Sequence, residues 1–476
     1  MATALRDALV GLLGAGGVRS DPVDMNLYGR DASVLRGTPG LVCFPTTGDQ
    51  VAAVVRLARA HGVPVVPRGS GTGLAGGAVP VSDGEPPLVV VTTRMTRIGP
   101  VDAAAGVAWV QPGVLNLDLS RAVAPLGLHF APDPSSQQAC SVGGNVANNS
   151  GGPHCLAYGV TTAHVLALEV VLSDGSVARL GGLDPEPSGY DLRGAFVGSE
   201  GTMGIATDIA VRLTPLPPSV RTLLAAFPSP DQAAATVSAV IAAGVVPAAM
   251  EMMDRRITVA VEEFVHAGFP TDAAAVLLAE VDGLPSGVDE GIDTITSLAR
   301  GHGALSVRVA ATPAERDVLW KGRKSAFGAV ARLAPDYYLH DAVVPRTRLV
   351  EVLDAVYRVA DEAGVTVMNV FHAGDGNLHP LFLFDRRQPG ALERVHEAAA
   401  EVLRLCLAAG GVLSGEHGIG LEKRDYMPLL FGPDDLAAQA ALRSAFDPEG
   451  LFNPLKVLPS GSRCGDLQDL PEGVWI

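Results

Sequence analysis

The sequence is poor in several residue types, and each shortage excludes a class of protein. Its 476 residues include only five cysteines and no CxxC pair, which excludes a zinc-ribbon or iron–sulfur framework within this chain. The 35 basic residues are outnumbered by 51 acidic ones, and a net charge of −16 opposes binding to nucleic acid. Aromatic residues make up only 5%, whereas glycine (55) and proline (35) are abundant. This composition indicates a loop-rich α/β chain and not a helical array.

Uninterrupted apolar segments are also scarce. The Ala-rich run 232–250 is broken by Gly244 and Pro247 and follows a helix-cap signature, so we interpret it as a helix of a soluble protein. The first ten residues carry Arg6 and Asp7 and lack an unbroken apolar core, so no signal peptide is predicted. Scattered cysteines, odd in number, are typical of reduced thiols. We therefore expect a cytoplasmic protein.

The length and the changing pattern along the chain predict more than one domain. A chain of 476 residues has room for two or three domains, and 48% hydrophobic residues suffice for large cores. The Pro-rich stretch 213–218 is the clearest linker. After it, helical patterns alternate with strand patterns, which predicts an antiparallel sheet backed by helices. The predicted helices are 231–243, 252–266, 286–301, 348–363 and 391–409, and the predicted strands are 220–227, 275–281, 304–309 and 365–371.

A glycine-rich loop follows a short predicted strand near the N-terminus. Its segment 71–76 (GTGLAG) matches the GxGxxG pattern of Rossmann dinucleotide sites, where the last glycine must lie in a helix. Here Gly77, Ala78, Val79 and Pro80 follow, and no helix can begin there, so the Rossmann interpretation is disfavoured. A loop this rich in glycine can still direct successive N–H groups at one anion. It predicts a phosphate site, with an ordinary turn as the alternative.

Two further segments have the same small-residue character. One runs from Pro132 to Gly152 and is rich in Ser, Asn and Gly; the other is the segment 198–205 (GSEGTMGI). A backbone with so few bulky side chains lets a flat or extended ligand lie against it. For the first of these segments, the alternative is a buried crossover loop.

Two histidines and a glutamate offer a metal-binding pattern. His372 and His379 are seven residues apart around Gly374 and Gly376, and a reversal of the chain there can bring the two imidazoles together. Glu416 lies in a separate glycine turn. Two histidines with one carboxylate are a common catalytic site for divalent zinc, manganese or iron. Taken from the residues alone, ordinary surface or core histidines remain the alternative.

Cationic residues near the C-terminal motifs suggest a carboxylate anchor. Arg323 is the better candidate, because its guanidinium can bind a carboxylate through two parallel hydrogen bonds. The alternative is a surface arginine on a helix. The chain has only four lysines, all inside or beside these motifs, which is a weak hint of function: Lys321, Lys324, Lys423 and Lys456.

In their order along the chain, the three glycine-rich segments resemble the flavin-binding domain of the vanillyl-alcohol oxidase/p-cresol methylhydroxylase superfamily, over about 37–217. The second half resembles the FAD-linked 2-hydroxy-acid dehydrogenases, which include the glycolate oxidase flavoprotein subunit, D-lactate dehydrogenase and D-2-hydroxyglutarate dehydrogenase. The motifs that carry this second resemblance are Trp320-Lys-Gly-Arg323-Lys324, Pro335-Asp-Tyr-Tyr338, His372-Ala-Gly-Asp-Gly-Asn377-Leu-His379-Pro380, Gly415-Glu416-His417-Gly418-Ile-Gly420 and Phe452-Asn453-Pro454.

The resemblance implies an α+β, two-domain flavoprotein. A p-cresol methylhydroxylase-type FAD-binding domain is expected at 1–217, a substrate (cap) domain with the antiparallel sheet and the metal site at 218–450, and a C-terminal segment returning to the flavin at 451–476. FAD is expected to be non-covalent, because the glycine loop lacks a histidine that could link it. The residues implied to bind FAD are Arg68, Gly69, Ser70, Gly71, Thr72, Gly73, Pro134, Ser141, Gly143, Gly144, Asn148, Ser150, Gly151, Glu200, Gly201, Gly204, Ile205 and Asn453.

The resemblance also implies an activity: oxidation of a small D-2-hydroxy acid, of glycolate or D-lactate type, to the 2-oxo acid. Arg323 would anchor the substrate carboxylate, with Lys324 beside it. His372, His379 and Glu416 would hold the divalent metal, and His417 would accept the hydroxyl proton while a hydride passes to flavin N5. Relatives that act on D-2-hydroxyglutarate typically carry a lysine in the segment aligned with 338–341, which is absent here, so a smaller substrate is expected.

The implied partners are the hydroxy acid and an electron acceptor, which could be a quinone, a cytochrome, or a partner flavoprotein or iron–sulfur subunit. A homodimer is left open. Two alternative functions also stay open at this point: the flavin-carrying subunit of a larger glycolate oxidase complex, and a metal-independent flavin alcohol oxidase.

Overall fold

The computed structural model describes residues 2–183 and 189–459. Their packing forms two compact units. The first contains the described residues up to Ser150, those of Val160–Leu216 and those from Glu416 onward, and the second contains Gly151–Gly159 and Pro217–Gly415. The predicted functional boundaries at 217 and 450 stay predictions. Cys464 and the part of the predicted C-terminal segment at 460–476 lie outside the described residues.

A mostly parallel sheet of four strands forms one layer of the first unit. The helix Gly48–Ala60 makes the crossover between two of its strands. This helix forms because Thr47 caps its N-terminus by accepting a hydrogen bond from the Gln50 N–H, and because its valines at helical spacing are buried. In spatial order the strands are Val18–Arg19, Leu41–Cys43, Leu88–Val91 and Val65–Arg68.

A five-stranded antiparallel sheet forms the second layer, and many of its apolar residues belong to a large hydrophobic cluster with the adjoining helices. In spatial order its strands are Ile98–Asp102, Val107–Val110, Ile205–Arg212, Val165–Val171 and Val177–Gly181, and Leu128–His129 and Thr214–Pro215 form a separate pair. The other α-helices of the first unit are Ala2–Leu13, Pro22–Tyr28, Asn116–Val123, Val142–Asn148, Leu192–Phe196 and Pro433–Phe446.

The C-terminal part of the first unit returns to the edge of the four-stranded sheet. Phe452 forms a parallel bridge with Val65, in which the Val65 N–H donates to the Leu451 carbonyl at 2.9 Å and the Asn453 N–H donates to the Val65 carbonyl at 2.7 Å. Residues from the two ends of the sequence therefore lie side by side, directly before the first glycine-rich loop.

An extended antiparallel sheet with helices packed on it forms the second unit, as the sequence pattern predicts. Its main path is Ser306–Val309, Ser219–Phe227, Ala275–Gly283, Ala249–Asp254, Thr366–His372, Asn377–Leu378 and Ala342–Val343, and Asp336–Leu339 joins through Pro380–Phe384, which also pairs with Thr366–His372. The α-helices of this unit are Cys155–Tyr158, Pro230–Ala242, Arg255–Val265, Pro285–Gly301, Pro313–Lys324, Ala326–Val330, Leu349–Glu362 and Ala391–Ala408.

The Ala-rich run 232–250 is not a single apolar helix. Its first part lies in Pro230–Ala242, and its end lies in the buried strand Ala249–Asp254. Within residues 2–183 and 189–459, none of the helices has the length and apolar character that a bilayer crossing requires.

Candidate active site

The first glycine-rich loop leaves the strand Val65–Arg68 and forms an open row of backbone donors. It contains neither helix nor strand from Gly69 to Gly77, which confirms that the GxGxxG match is not a Rossmann turn. Within the described part of the chain, no N–H from Ser70 to Gly77 donates a hydrogen bond. Gly71 has φ +75°, and such left-handed positions turn successive N–H groups to one side. These residues fit the pyrophosphate of a dinucleotide.

Arg68 packs beneath this loop. It is 9% exposed, and its Nη1 donates to the Arg30 carbonyl at 2.5 Å. A Cβ added to Gly71 would lie 2.0 Å from Nη2 of Arg68, so only glycine fits over this guanidinium. Burial lowers the pKa of Arg68 from its ordinary value. A buried cation under a row of free N–H groups favours an anionic ligand.

The second glycine-rich segment lies directly against the first. A Cβ on Gly69 would come within 2.5 Å of Ser141 Oγ and 3.5 Å of the Gly144 nitrogen. Ser141 caps the helix Val142–Asn148 by accepting a hydrogen bond from the Gly144 N–H. The absence of a side chain at Gly69 therefore allows the close approach of the two loops, which brings together the predicted residues of both segments.

Other residues predicted to bind FAD form backbone hydrogen bonds or lie in the core. The carbonyl of Pro134 accepts a hydrogen bond from Gln137, and that of Ser150 accepts one from Thr161. Ile205 is 3% exposed and belongs to the core. Gly201 (φ +72°) and Gly204 (φ +145°) form the turn before it, and Gly151 belongs to the segment of the second unit.

Glu200 and Asn453 tie three distant parts of the first unit together. The Glu200 carboxylate accepts hydrogen bonds from the N–H groups of Ile419 (2.7 Å) and Gly420 (2.8 Å). Asn453 Nδ2 donates to the carbonyls of Gly77 (2.8 Å) and Glu200 (2.7 Å). Burial raises the pKa of Glu200 to about 7, although these N–H groups act in the opposite direction. The first loop, the third segment and the turn after Gly415 are thereby fixed to one another.

Asn148 and His417 also meet in the first unit. Asn148 Nδ2 donates to the His417 carbonyl at 2.8 Å. Gly418 (φ +89°) follows, and a Cβ there would lie 2.8 Å from Glu200 Oε1. Two residues predicted as FAD ligands, Asn148 and Glu200, therefore hold the backbone of the turn that carries His417.

In the second unit, His372 and His379 lie together as predicted. Their ring centroids are 5.1 Å apart, and both side chains are buried. They meet because the chain reverses after the strand Thr366–His372, with His372 paired opposite Asn377. Nδ1 of His372 lies 2.7 Å from Oε1 of Glu251, on the neighbouring strand.

Asp341 anchors the end of the second unit beside His379. Its Oδ1 lies 3.6 Å from His379 Nε2. The same carboxylate accepts hydrogen bonds from the Ser414 hydroxyl at 2.6 Å and from the Gly415 N–H at 3.0 Å. Glu416 is the next residue along the chain, so Asp341 fixes the position of Gly415, which directly precedes the predicted carboxylate ligand.

Arg323 is buried in the second unit with part of its guanidinium unsatisfied. It is 1% exposed, and its Nη2 lies 2.5 Å from Oε2 of Glu251. Its Nε and Nη1 are buried and have no hydrogen-bond partner among the described residues. Lys324, by contrast, lies with Nζ 6.0 Å from the Trp320 ring centroid. Two buried donors on a cation are suited to binding a carboxylate.

The buried carboxylates Glu251, Glu280 and Asp341 were not predicted from the sequence. Glu280 forms a bidentate ion pair with Arg316 (2.7 and 2.8 Å) and accepts a hydrogen bond from Trp320 Nε1 at 2.5 Å. Burial alone would raise the pKa of Glu280, but hydrogen bonds from His154 and Arg316 lower it to about 2. For Glu251 the available signal was an acid between apolar residues, in the strand Ala249–Asp254 (AMEMMD).

Comparison with known proteins decides the family. A model described as "FAD binding domain" matches residues 39–181, and one described as "FAD linked oxidases, C-terminal domain" matches residues 216–457. The chain belongs to the FAD-linked oxidase family. It is an FAD-linked oxidoreductase, which confirms the predicted flavoprotein class.

Curated relatives cover nearly the whole chain. The glycolate oxidase subunit GlcD of Escherichia coli is 46% identical over 434 residues, which are 91% of this chain and 86% of that protein. The subunit of the same name from Bacillus subtilis is 40% identical over 92% of this chain and 93% of its own length. The D-lactate dehydrogenase of Anaerostipes hadrus is 33% identical over 91% of both.

Solved structures show the same fold at low sequence identity. A substrate-bound p-cresol methylhydroxylase has a TM-score of 0.80 at 18% identity, covering 96% of this chain and 97% of its own. A 4-ethylphenol oxidase from Gulosibacter chungangensis has a TM-score of 0.81 at 20% identity, with the same coverage. The predicted two-domain α+β fold is confirmed.

Proposed function

We propose that this FAD-linked oxidoreductase oxidises a small D-2-hydroxy acid, of glycolate or D-lactate type, to the 2-oxo acid. The observation that carries the proposal is Arg323, a buried cation with two unsatisfied donors in the same unit as His372 and His379. A substrate carboxylate would satisfy both donors. The names of the relatives, glycolate oxidase subunit and D-lactate dehydrogenase, support this substrate class.

FAD, held by the loop Gly69–Gly77 and its neighbours, would supply the hydride acceptor at flavin N5. A divalent ion held by His372, His379 and Glu416 would polarise the 2-hydroxyl and lower its pKa. Arg323 would fix the carboxylate and thereby orient the substrate, and the His417 imidazole would take the hydroxyl proton. Arg323 would thus anchor the substrate, and a different residue, His417, would deprotonate it.

A panel of D- and L-2-hydroxy acids, scored by anaerobic bleaching of the flavin absorbance, tests this proposal. Glycolate and D-lactate should bleach the flavin rapidly, and L-lactate and D-2-hydroxyglutarate slowly or not at all. A simple alcohol or a phenol serves as the control substrate. If only the alcohol or the phenol bleaches the flavin, and added chelator has no effect, the protein is a metal-independent alcohol oxidase and the proposal is wrong.

A second candidate function is that of a flavin-carrying subunit in a larger oxidase. The observation that favours it is that relatives at 46% and 40% identity are named as subunits. Failure of the purified chain to oxidise glycolate with dye acceptors, together with recovery of activity when co-expressed subunits are present, would support this candidate over a self-sufficient dehydrogenase.

A further inference from the structure

Glu251 contacts a predicted metal ligand and the predicted substrate anchor at the same time. Oε1 lies 2.7 Å from His372 Nδ1, and Oε2 lies 2.5 Å from Arg323 Nη2. The side chain of Glu251 is 0% exposed, and that of Arg323 is 1% exposed. One carboxylate thus bridges two groups that the proposed function assigns to different tasks.

The chemistry of the pair with His372 fixes the state of the imidazole. An ionised carboxylate can only accept hydrogen bonds, so Nδ1 of His372 must carry a proton. Nε2 is then the nitrogen with the lone pair, and a metal ligand needs that lone pair. A carboxylate on the other ring nitrogen also restrains the orientation of the ring.

The contact with Arg323 is an ion pair without a hydrogen bond, and it attracts one end of the guanidinium. Glu251 lies opposite the Nη2 corner, which leaves Nε and Nη1 for another partner. Buried charges of this kind contribute little net stability, because the cost of removing them from water offsets their attraction. Replacing both members of such a pair by hydrophobic residues is often neutral or stabilising, so net stability does not explain why Glu251 and Arg323 are both present.

We propose that Glu251 is a positioning residue, which orients His372 toward the metal and Arg323 toward the substrate carboxylate. The inference rests on the proposed function, since it presupposes a divalent metal on His372 and a carboxylate on Arg323. It adds that the two sites are coupled. A substitution at Glu251 should weaken both metal binding and substrate binding.

Zinc affinity provides the test, because it needs no turnover. The FAD-loaded protein is stripped of metal by a chelator and titrated with Zn²⁺ against a chromophoric chelator. Changes in the outer shell of a metal site typically cost ten- to a hundred-fold in affinity. Glu251→Gln should therefore raise the Kd for Zn²⁺ about ten- to a hundred-fold, and raise KM for the hydroxy acid in parallel, with FAD content unchanged.

Glu280→Gln is the matched control. Glu280 lies on the same sheet face as Glu251, since it pairs with Ala249 while Glu251 pairs with Leu278. It is also buried and ion-paired with an arginine, Arg316. Glu280→Gln should lower the thermal midpoint but keep the native Kd for Zn²⁺. An equal loss of zinc affinity in both variants would show general loosening of the sheet and overturn the proposal.

Each remaining outcome of the zinc titration also supports or overturns the proposal. Native zinc affinity in a folded Glu251→Gln protein overturns the inference and leaves the proposed function intact. A native protein that binds no Zn²⁺, Mn²⁺ or Fe²⁺ overturns the metal-assisted function itself, and the inference with it. If Glu251→Gln does not fold, Glu251→Asp decides, because the shorter side chain keeps the charge but cannot reach both partners. Weakened zinc binding in Glu251→Asp supports the proposal, and native binding or loss of the fold overturns it.

Discussion

Arg323 is a buried residue with two hydrogen-bond donors that no described residue of the protein satisfies. Glu251 balances its charge at one corner only, and the remaining buried donors would each cost free energy without a partner. Such a residue is suited to ligand binding, because the ligand supplies contacts that folding leaves unmade.

Replacing Arg323 by alanine should raise KM for glycolate or D-lactate about ten- to a hundred-fold, because a charge-assisted contact is worth about 1.5–3 kcal/mol. FAD content should not change. The measurement is steady-state kinetics with a dye acceptor, with Arg332→Ala as the control: Arg332 is an exposed arginine of the same unit, stacked on Phe264. Normal KM in Arg323→Ala would place the anchor elsewhere, with Lys324 the next candidate.

Alanine at His379 and alanine at His417 should fail in different ways. His379→Ala removes a proposed ligand, so both metal content and activity should be lost. His417→Ala should keep metal and FAD but lower the rate by about 10²–10⁴-fold, the usual contribution of a general base. Metal analysis and turnover on the same preparations separate the two. Loss of metal from His417→Ala would make that residue a ligand and not the base.

At the scale of secondary-structure elements, local signals predicted most of the second unit. The expected helices 286–301 and 391–409 correspond to Pro285–Gly301 and Ala391–Ala408, because the helical spacing of apolar residues is a property of the sequence itself. The strand Ala249–Asp254 was missed, since its end fell within a predicted helix at 252–266. A stretch of six residues is too short for its pattern to distinguish a strand from a helix.

The partners of the buried acids could not be predicted either. Glu251 meets His372 through pairing between strands that are 121 residues apart in sequence. Sequence patterns indicate that a strand exists but not which strand lies next to it, and hence not which polar side chains meet. The two histidines were predictable as a pair because a local reversal connects them.

Glu280 makes the sheet of the second unit sensitive to acid. Its pKa is about 2 in the folded protein, against an ordinary value of 4.5. A lowered pKa stabilises the folded state above about pH 4.5, and this contribution, roughly 3 kcal/mol, is lost as the pH falls toward 2. The urea midpoint of the native protein should therefore approach that of Glu280→Gln between pH 5 and pH 3. A constant difference over this range would contradict the assignment.

At the scale of the whole molecule, FAD should behave as a removable stabiliser. The glycine loop offers hydrogen-bond donors but no histidine for a covalent link, so acid precipitation should release intact FAD into the supernatant. Flavin that stays with the precipitated chain would refute non-covalent binding.

The apoprotein should gain stability from added FAD by mass action, about 2.7 kcal/mol at a free concentration one hundred times Kd. The thermal midpoint should rise with FAD concentration, and riboflavin, which lacks the pyrophosphate, serves as the control. An equal shift with riboflavin would show that the loop Gly69–Gly77 does not bind the pyrophosphate.

The bridge between Val65 and Phe452 has a consequence for biosynthesis. The edge strand before the glycine loop receives its last backbone hydrogen bonds from residues translated almost four hundred positions later. During synthesis this edge therefore stays open, as a template for pairing with other chains, until residues 451–453 have left the ribosome. A nascent chain stalled before residue 451 should be prone to aggregate, and a gene split after residue 216 should yield an N-terminal half that needs the other half to close its sheet.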